Sequence, residues 1–329
     1  MDMLVVEGGH PLDGTVTCSG SKNAFLPIAA AALLTSEPVI VGRVPDLVDV
    51  RQILNILEGL GCEIARDRSK ATVRIQAPES PLGEAGWEDV RRMRGSVYVL
   101  GPLLARTGSA KVSLPGGCVI GQRPIDIHLR GLKELGARVE ISHGHVVARV
   151  PGGRLRGAHM YLGGASGSSV GGTGNIMMAA SLAEGETVIE GAACEPEIVD
   201  LGKFLNAMGA KIEGLGSPKI CIQGVESLGG CEHEVIPDRI EAGTYAIAGA
   251  ITGAFSSSVC ARVRAPAPMA PAPNRVISLF SMPICRSYKA TTYRIFKHLL
   301  SESPVPAKEE PPRRSEARRG GKEAQPRWS

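Results

Sequence analysis

A cysteine in a glycine-rich turn, five residues before an arginine, is the part of this chain best equipped for chemistry. The stretch reads Leu114-Pro115-Gly116-Gly117-Cys118-Val119-Ile120-Gly121-Gln122-Arg123-Pro124-Ile125-Asp126-Ile127-His128. Glycines let a backbone approach a ligand closely and adopt φ > 0 turns. Pro124 suits the first turn of the helical pattern that follows. The free N–H groups and partial positive charge of such a helix start attract anions and lower the pKa of a nearby thiol. Arg123 adds a fork-shaped cation suited to phosphate or carboxylate. The chemistry expected here is a reactive sulfur meeting an anionic substrate. Read alone, the same letters also describe a turn around a packed cysteine.

Two further stretches could meet an anion. Lys22 and Asn23 immediately precede an apolar helix starting near Ala24, and residues 167–174 are a glycine-rich run leading into a helix at Ile176. Both are helix entrances of the kind that hold phosphates. A surface lysine and a plain flexible turn are the alternatives. His143 and His145 lack a neighbouring Cys or carboxylate cluster, so a solvated turn between two strands is expected there rather than a metal site. The eight cysteines form no CxxC pair, which argues against zinc-ribbon and thioredoxin motifs.

These residues need a scaffold, and 329 residues suffice for two domains with full cores. Aromatics are only 4%, so the core must be built from Ala, Leu, Ile and Val. The sequence contains no apolar run of the length needed to span a membrane. Met1-Asp2-Met3-Leu4 lacks the basic and apolar regions of a signal peptide, and a cytoplasmic location is expected.

Three segments share one plan: an Ala/Leu-rich helix, a β-branched strand, and a second helix closing on a glycine. They span residues 25–64, 98–141 and 175–213, with closing glycines 61, 136 and 209. Each glycine is expected to cap its helix in a left-handed conformation, with strands at 72–76, 146–150 and 219–223 after the caps. Such alternation predicts α/β layers with pseudo-threefold symmetry. The helices 29–34, 100–105 and 176–183 are apolar nearly all round, so they should lie buried inside the sheets.

A fourth unit opens at residues 244–253 and the pattern then stops. Residues 254–329 hold 14 Lys+Arg, 5 Glu and no Asp, whereas the preceding 253 residues carry 23 Lys+Arg against 28 acids. This Pro-rich basic tail reads as disordered, and a frameshifted or truncated reading frame from about Ala254 is the preferred explanation. An unfinished second domain should leave apolar surface exposed at 244–251.

The cysteine loop, the opening Ser19-Gly20-Ser21-Lys22-Asn23 and the segment Glu195-Pro196-Glu197-Ile198-Val199-Asp200 together resemble the enolpyruvyl transferases, across about residues 3–253. Within that family the cysteine loop is similar to the branch that acts on UDP-N-acetylglucosamine. The resemblance implies two inside-out α/β barrel domains, each of three repeated units around buried helices. Residues 1–21 and 233–253 would belong to the second domain and 22–232 would form the first. It implies transfer of enolpyruvate from phosphoenolpyruvate to the 3-hydroxyl of UDP-N-acetylglucosamine in peptidoglycan synthesis, with no cofactor or metal.

Cys118 would donate a proton to the enolpyruvate methylene and be the site of alkylation by fosfomycin. Lys22 and Arg123 would contact phosphoenolpyruvate, and Asn23 would stand near the reacting hydroxyl. Arg94 would touch the UDP-sugar, Arg123, Pro124, Ile125, Asp126 and Ile127 would hold its uridine end, and Ser169, Val170 and Gly171 its diphosphate. Two departures stand out. A lysine two residues before the matching serine in some members is Gly167 here, and the family's aspartate base lies beyond the point of divergence. The chain is therefore expected to lack turnover. The alternatives are a non-catalytic UDP-sugar-binding fragment and, from another class, a basic-tailed nucleic-acid-binding or scaffold protein.

Overall fold

The computed structural model describes Leu12, residues 14–86, Val90, and residues 93–114, 125–164 and 167–252; of Arg94 it describes the backbone. All of these lie in one unit, Met1–Cys285. The expectations placed on residues 254–329 lie outside the described residues.

The first unit runs α1 (Lys22–Ala31), a 3₁₀ turn Ala32–Leu34, β1 (Val39–Gly42), α2 (Val48–Gly59), β2 (Glu63–Asp67) and β3 (Thr72–Gln76). The second runs β4 (Glu84–Ala85), a 3₁₀ turn Arg94–Val99, α3 (Leu100–Thr107), β5 (Ser109–Ser113), α4 (Asp126–Glu134), β6 (Arg138–Ser142) and β7 (His145–Arg149). The third runs β8 (His159–Tyr161), α5 (Val170–Ser181), β9 (Glu186–Glu190), α6 (Pro196–Ala207), β10 (Lys211–Glu213) and β11 (Lys219–Gln223). β12 (Glu232–Glu234) and α7 (Arg239–Ile251) follow.

The strands form three four-stranded sheets of one design, ordered β12-β1-β3-β2, β4-β5-β7-β6 and β8-β9-β11-β10. In each, an antiparallel hairpin pairs with a central strand, and a short parallel strand closes the other edge. β4 and β8 precede the sheets they close, but β12 comes from after the third unit and pairs with β1 (Ile40 opposite Glu232). The ring of three units is thus completed by the strand that follows it.

Each sheet buries one face. Val39 and Val41 lie opposite Ile75 and Val73, Ala110 and Val112 opposite Ala148 and Val146, and Ile189 opposite Ile220, all buried. Period-2 alternation of this kind marks a sheet packed on one side only. The buried faces meet helices. Residues 28–34 of α1 and its 3₁₀ extension, Leu100–Leu104 of α3 and Ile176–Ala183 around α5 are buried almost without exposure, while Ala105 is half-buried. The outer helices are one-sided: α2 buries Val50, Ile53, Leu54, Ile56 and Leu57, and α6 buries Leu201, Phe204 and Leu205. Helices therefore fill the inside and sheets the outside, as the all-round apolar stretches require.

The three closing glycines make one repeated cap. Gly61, Gly136 and Gly209 have φ of 95°, 89° and 106°. In each cap the residue after glycine donates its N–H to a carbonyl five residues back, Cys62 to Leu57, Ala137 to Leu132 and Ala210 to Leu205. This double-bonded left-handed stop reverses the chain into the hairpin. The expected strands 72–76 and 219–223 are found as such, and 146–150 is shifted by one residue. The strand immediately after each cap, β2, β6 and β10, needs adding to the expected plan, as do the short parallel strands.

α7 differs from the other helices. It is rich in Ala and Ile like the inner helices, yet none of its residues is buried, and Tyr245, Ile247 and Ile251 are exposed, the last two by 60% and 75%. This agrees with the exposed apolar surface expected at 244–251. Among the described residues, no helix is long and apolar enough to cross a membrane.

Replacing buried Phe204 with Ala should cost about 3–5 kcal/mol. Ile251→Lys on α7 should leave stability within about 0.5 kcal/mol and improve solubility. Denaturant titration of the two variants checks both. A comparable loss from both would mean that α7 is packed.

Candidate functional site

Two helix entrances come together in the second and third units. Ile125 precedes α4, and Asp126 and Ile127 form its first turn. Ser169 caps α5, its hydroxyl accepting the Gly172 N–H at 3.0 Å, and Val170 and Gly171 begin the helix. Ile127 joins the two. A Cβ on Gly172 would lie 2.7 Å from Ile127 Cγ2, and one on Gly164 would lie 3.0 Å from Ile127 Cδ1. Further along the pair, a Cβ on Gly131 would meet Ile176 at 2.6 Å. α4 and α5 therefore run side by side with their N-termini together, and glycines make the close approach possible. Two adjacent helix starts place first-turn N–H groups and two positive dipole ends at one spot, an arrangement suited to a phosphate-bearing ligand.

The loop before Ser169 departs from a side-chain-rich phosphate site. Gly167 has φ of +94°, and Gly164 and Gly167 exchange both backbone hydrogen bonds, at 2.8 and 3.0 Å. An L side chain at Gly167 would be strained in that conformation. Glycine at 167 suits that backbone.

Lys22 and Asn23 stand at a separate entrance, that of α1. Ser21 is its cap and accepts the Ala24 N–H at 3.3 Å. Lys22 Nζ lies 2.5 Å from Asp49 Oδ2 in the first turn of α2, so these two helices also begin side by side. Pro27, inside α1, offers no N–H, which leaves the Asn23 carbonyl without its usual helical donor. The 3₁₀ turn that begins at Arg94 packs on α1, where a Cβ on Gly95 would lie 3.1 Å from Leu26. Cys118, Arg123 and Pro124 lie outside the described residues. In the sequence they fall between β5 and α4.

Two groups in this region were not foreseen from sequence. Asp49 is one. The other is the pair Asn175 and His128, both buried, whose hydrogen bonds join α5 to α4, α3 and the turn 94–99. A lone Asn amid the apolar residues of α5 was the available signal, since a buried amide requires partners.

The Glu195–Asp200 segment has a structural task in this chain. Glu197 and Asp200 are buried on α6, where Glu197 takes two bonds from Arg239 Nε at 2.9 and 3.2 Å. Asp200 meets His233 Nε2 at 3.1 Å and accepts the Ile236 N–H at 3.2 Å. These carboxylates hold the chain as it leaves β12 for α7. Alongside, Gly20 pairs with Pro237, and Glu241 accepts from both the N–H and hydroxyl of Ser19 at 2.8 and 2.7 Å. His143 and His145 occupy the β6–β7 turn.

Burial pushes the Cys62 thiol up to about 12 and the Cys231 thiol up to about 11. Cys18 is also raised, by burial and then by Glu241 and Asp238. Thiolate is the reacting form, so these three are poor nucleophiles near neutral pH. Alkylation at pH 8, mapped by mass spectrometry, should label Cys118 well before Cys62 and Cys231. Equal rates at all sites would remove the case for an activated thiol in the loop.

Comparison with known proteins adds a family. The family model described as EPSP synthase (3-phosphoshikimate 1-carboxyvinyltransferase) matches residues 6–259. A UDP-N-acetylglucosamine 1-carboxyvinyltransferase of Methylacidiphilum infernorum is 54% identical over 252 residues, 77% of this chain and 59% of that protein. One of Anaeromyxobacter dehalogenans is 55% identical over 254 residues, 77% of this chain and 60% of that protein. The chain thus spans about three fifths of the length of these curated relatives. Among solved structures, the enolpyruvyl transferase NikO from Streptomyces tendae superposes with a TM-score of 0.63 at 26% identity, over 72% of this chain and 55% of that one. EPSP synthase from Acinetobacter baumannii shares the fold, with a TM-score of 0.60 at 20% identity, over 74% of this chain and 55% of that one.

Proposed function

Since this chain belongs to the EPSP synthase family of enolpyruvyl transferases, we propose that it carries the UDP-sugar side of a carboxyvinyl transfer from phosphoenolpyruvate to the 3-hydroxyl of UDP-N-acetylglucosamine. The observation that carries this reading is the paired entrance of α4 and α5, where Ile127 and His128 stand against Gly172 and Gly171. The diphosphate would take the N–H groups of the α5 entrance, and the uridine would lie along Ile125–Ile127. Arg94 would reach the same ligand. Lys22, at the α1 entrance, would exchange its Asp49 partner for the phosphoenolpyruvate anion, with Asn23 beside the reacting hydroxyl. Arg123 would share that anion, and Cys118 would deliver a proton to its methylene carbon. Both substrates are soluble anions, which fits work in the cytoplasm.

The proposed division into domains places residues 22–232 in the first domain and 1–21 with 233–253 in the second, except that His233 and Glu234 of β12 pair with β1 and so go with the first. The pairing of Gly20 with Pro237 and of Ser19 with Glu241 supports it, because the two crossing segments bind each other. A narrower reading is binding without turnover. It is favoured by α7, whose apolar side chains have no shell among the described residues.

Titration calorimetry with UDP-N-acetylglucosamine should show saturable one-to-one binding. Gly172→Val, which would drive a methyl into Ile127, should weaken it by roughly tenfold or more, the size of one lost positioned contact. No binding by the wild-type chain would defeat the proposal. Phosphate release from phosphoenolpyruvate separates the two readings: sugar-dependent release establishes transfer by this chain, and binding without release establishes the narrower role.

A further inference from the structure

The Asn175 amide is fully buried. Its Oδ1 accepts the Gly101 N–H at 2.7 Å, and its Nδ2 donates to the Val97 carbonyl at 2.9 Å. Those two bonds fix which end of the amide is oxygen, because the partners are a backbone donor and a backbone acceptor. The second Nδ2 hydrogen then points at His128 Nδ1, 3.1 Å away. An amide nitrogen can only donate, so Nδ1 must be the acceptor. The neutral His128 ring therefore carries its proton on Nε2. That nitrogen faces the first turn of α5: a Cβ on Gly171 would lie 3.0 Å from His128 Nε2 and 3.9 Å from the Tyr98 hydroxyl. Likewise, a Cβ on Gly101 would lie 2.3 Å from Asn175 Oδ1, so glycine at 101 is what admits the amide.

From α5, Asn175 thus bonds the backbone of the turn beginning at Arg94 and of α3 directly, and reaches the first turn of α4 through the His128 ring. We infer that Asn175 and His128 are positioning residues of this site. The amide orients the imidazole, and the imidazole sets how closely the first turns of α4 and α5 approach. The ligand in this inference rests on the function proposed above; the geometry does not.

The test uses the full chain with Asn175→Asp, Asn175→Leu and His128→Leu. Long-range proton–nitrogen spectra read the His128 ring, and titration reads UDP-N-acetylglucosamine affinity. The wild type should show Nε2–H. Asn175→Asp should reverse it to Nδ1–H, because a carboxylate accepts where the amide donated. Affinity should fall roughly tenfold or more in both Asn175 variants, as for loss of a buried positioned hydrogen bond. Ile222→Val, a core change in the third sheet, should leave it within about twofold. A wild-type ring protonated on Nδ1, or a folded Asn175→Asp with unchanged affinity, would overturn the inference. If the wild type binds no UDP-sugar, the functional reading fails by itself. The ring spectrum and the exchange rates of the Gly171 and Gly172 amides then decide the positioning claim, since Asn175→Asp should speed both. If the Asn175 variants do not fold, His128→Leu serves, because it leaves the bonds of Asn175 to Gly101 and Val97 in place. Unchanged exchange and affinity in that variant would also overturn it.

Discussion

A helix that is apolar on every side cannot lie on a protein surface, and α1, α3 and α5 are such helices. Enclosing them requires sheets outside and helices inside, the reverse of the more common α/β layering. Three units of one design achieve the enclosure, each turning its sheet's apolar face inward. Because the ring must close, β12 returns after the third unit to complete the first sheet. Buried carboxylates on α6 then fix the direction in which the chain leaves.

The same enclosure creates the candidate site. Helices packed side by side in register bring their N-termini together, as the contacts of Lys22 with Asp49 and of Ile127 with Gly172 show. Each entrance carries first-turn N–H groups, a setting that favours an anion before any charged side chain is added. Close approach demands glycine at the contacts, which explains Gly131 and Gly172. Where apolar packing could slide, the polar bonds of Asn175 allow a single register. Such buried polar groups cost stability unless fully partnered, and here the amide oxygen and both amide hydrogens have partners.

Much of the fold was legible in the sequence, since its signals are local. The closing glycines 61, 136 and 209 announced three equivalent caps, and the all-round apolar stretches announced burial. The parallel strands β4, β8 and β12 were not legible, because two or three residues carry no periodicity and are specified by their partners. The helix entrance at Lys22 was legible from residue type and position; the third-unit helix was expected from Ile176 but begins at Val170, because the glycines of its first turns read as a flexible run. The pairing partners were not legible: Asp49 lies 27 residues from Lys22, and His128 lies 47 from Asn175. The cysteine loop, the clearest chemical signal in the sequence, falls outside the described residues, so its reading still rests on its letters and on family membership.

α7 is the exception that the enclosure principle singles out. It is rich in Ala and Ile like the inner helices, but none of its side chains is buried. Amide hydrogen exchange across the chain measures this contrast directly. The account predicts that α1, α3 and α5 exchange only through global unfolding, while α7 exchanges orders of magnitude faster through local opening. Protection of α7 equal to that of α1, or fast local exchange in α1, α3 and α5, would contradict it.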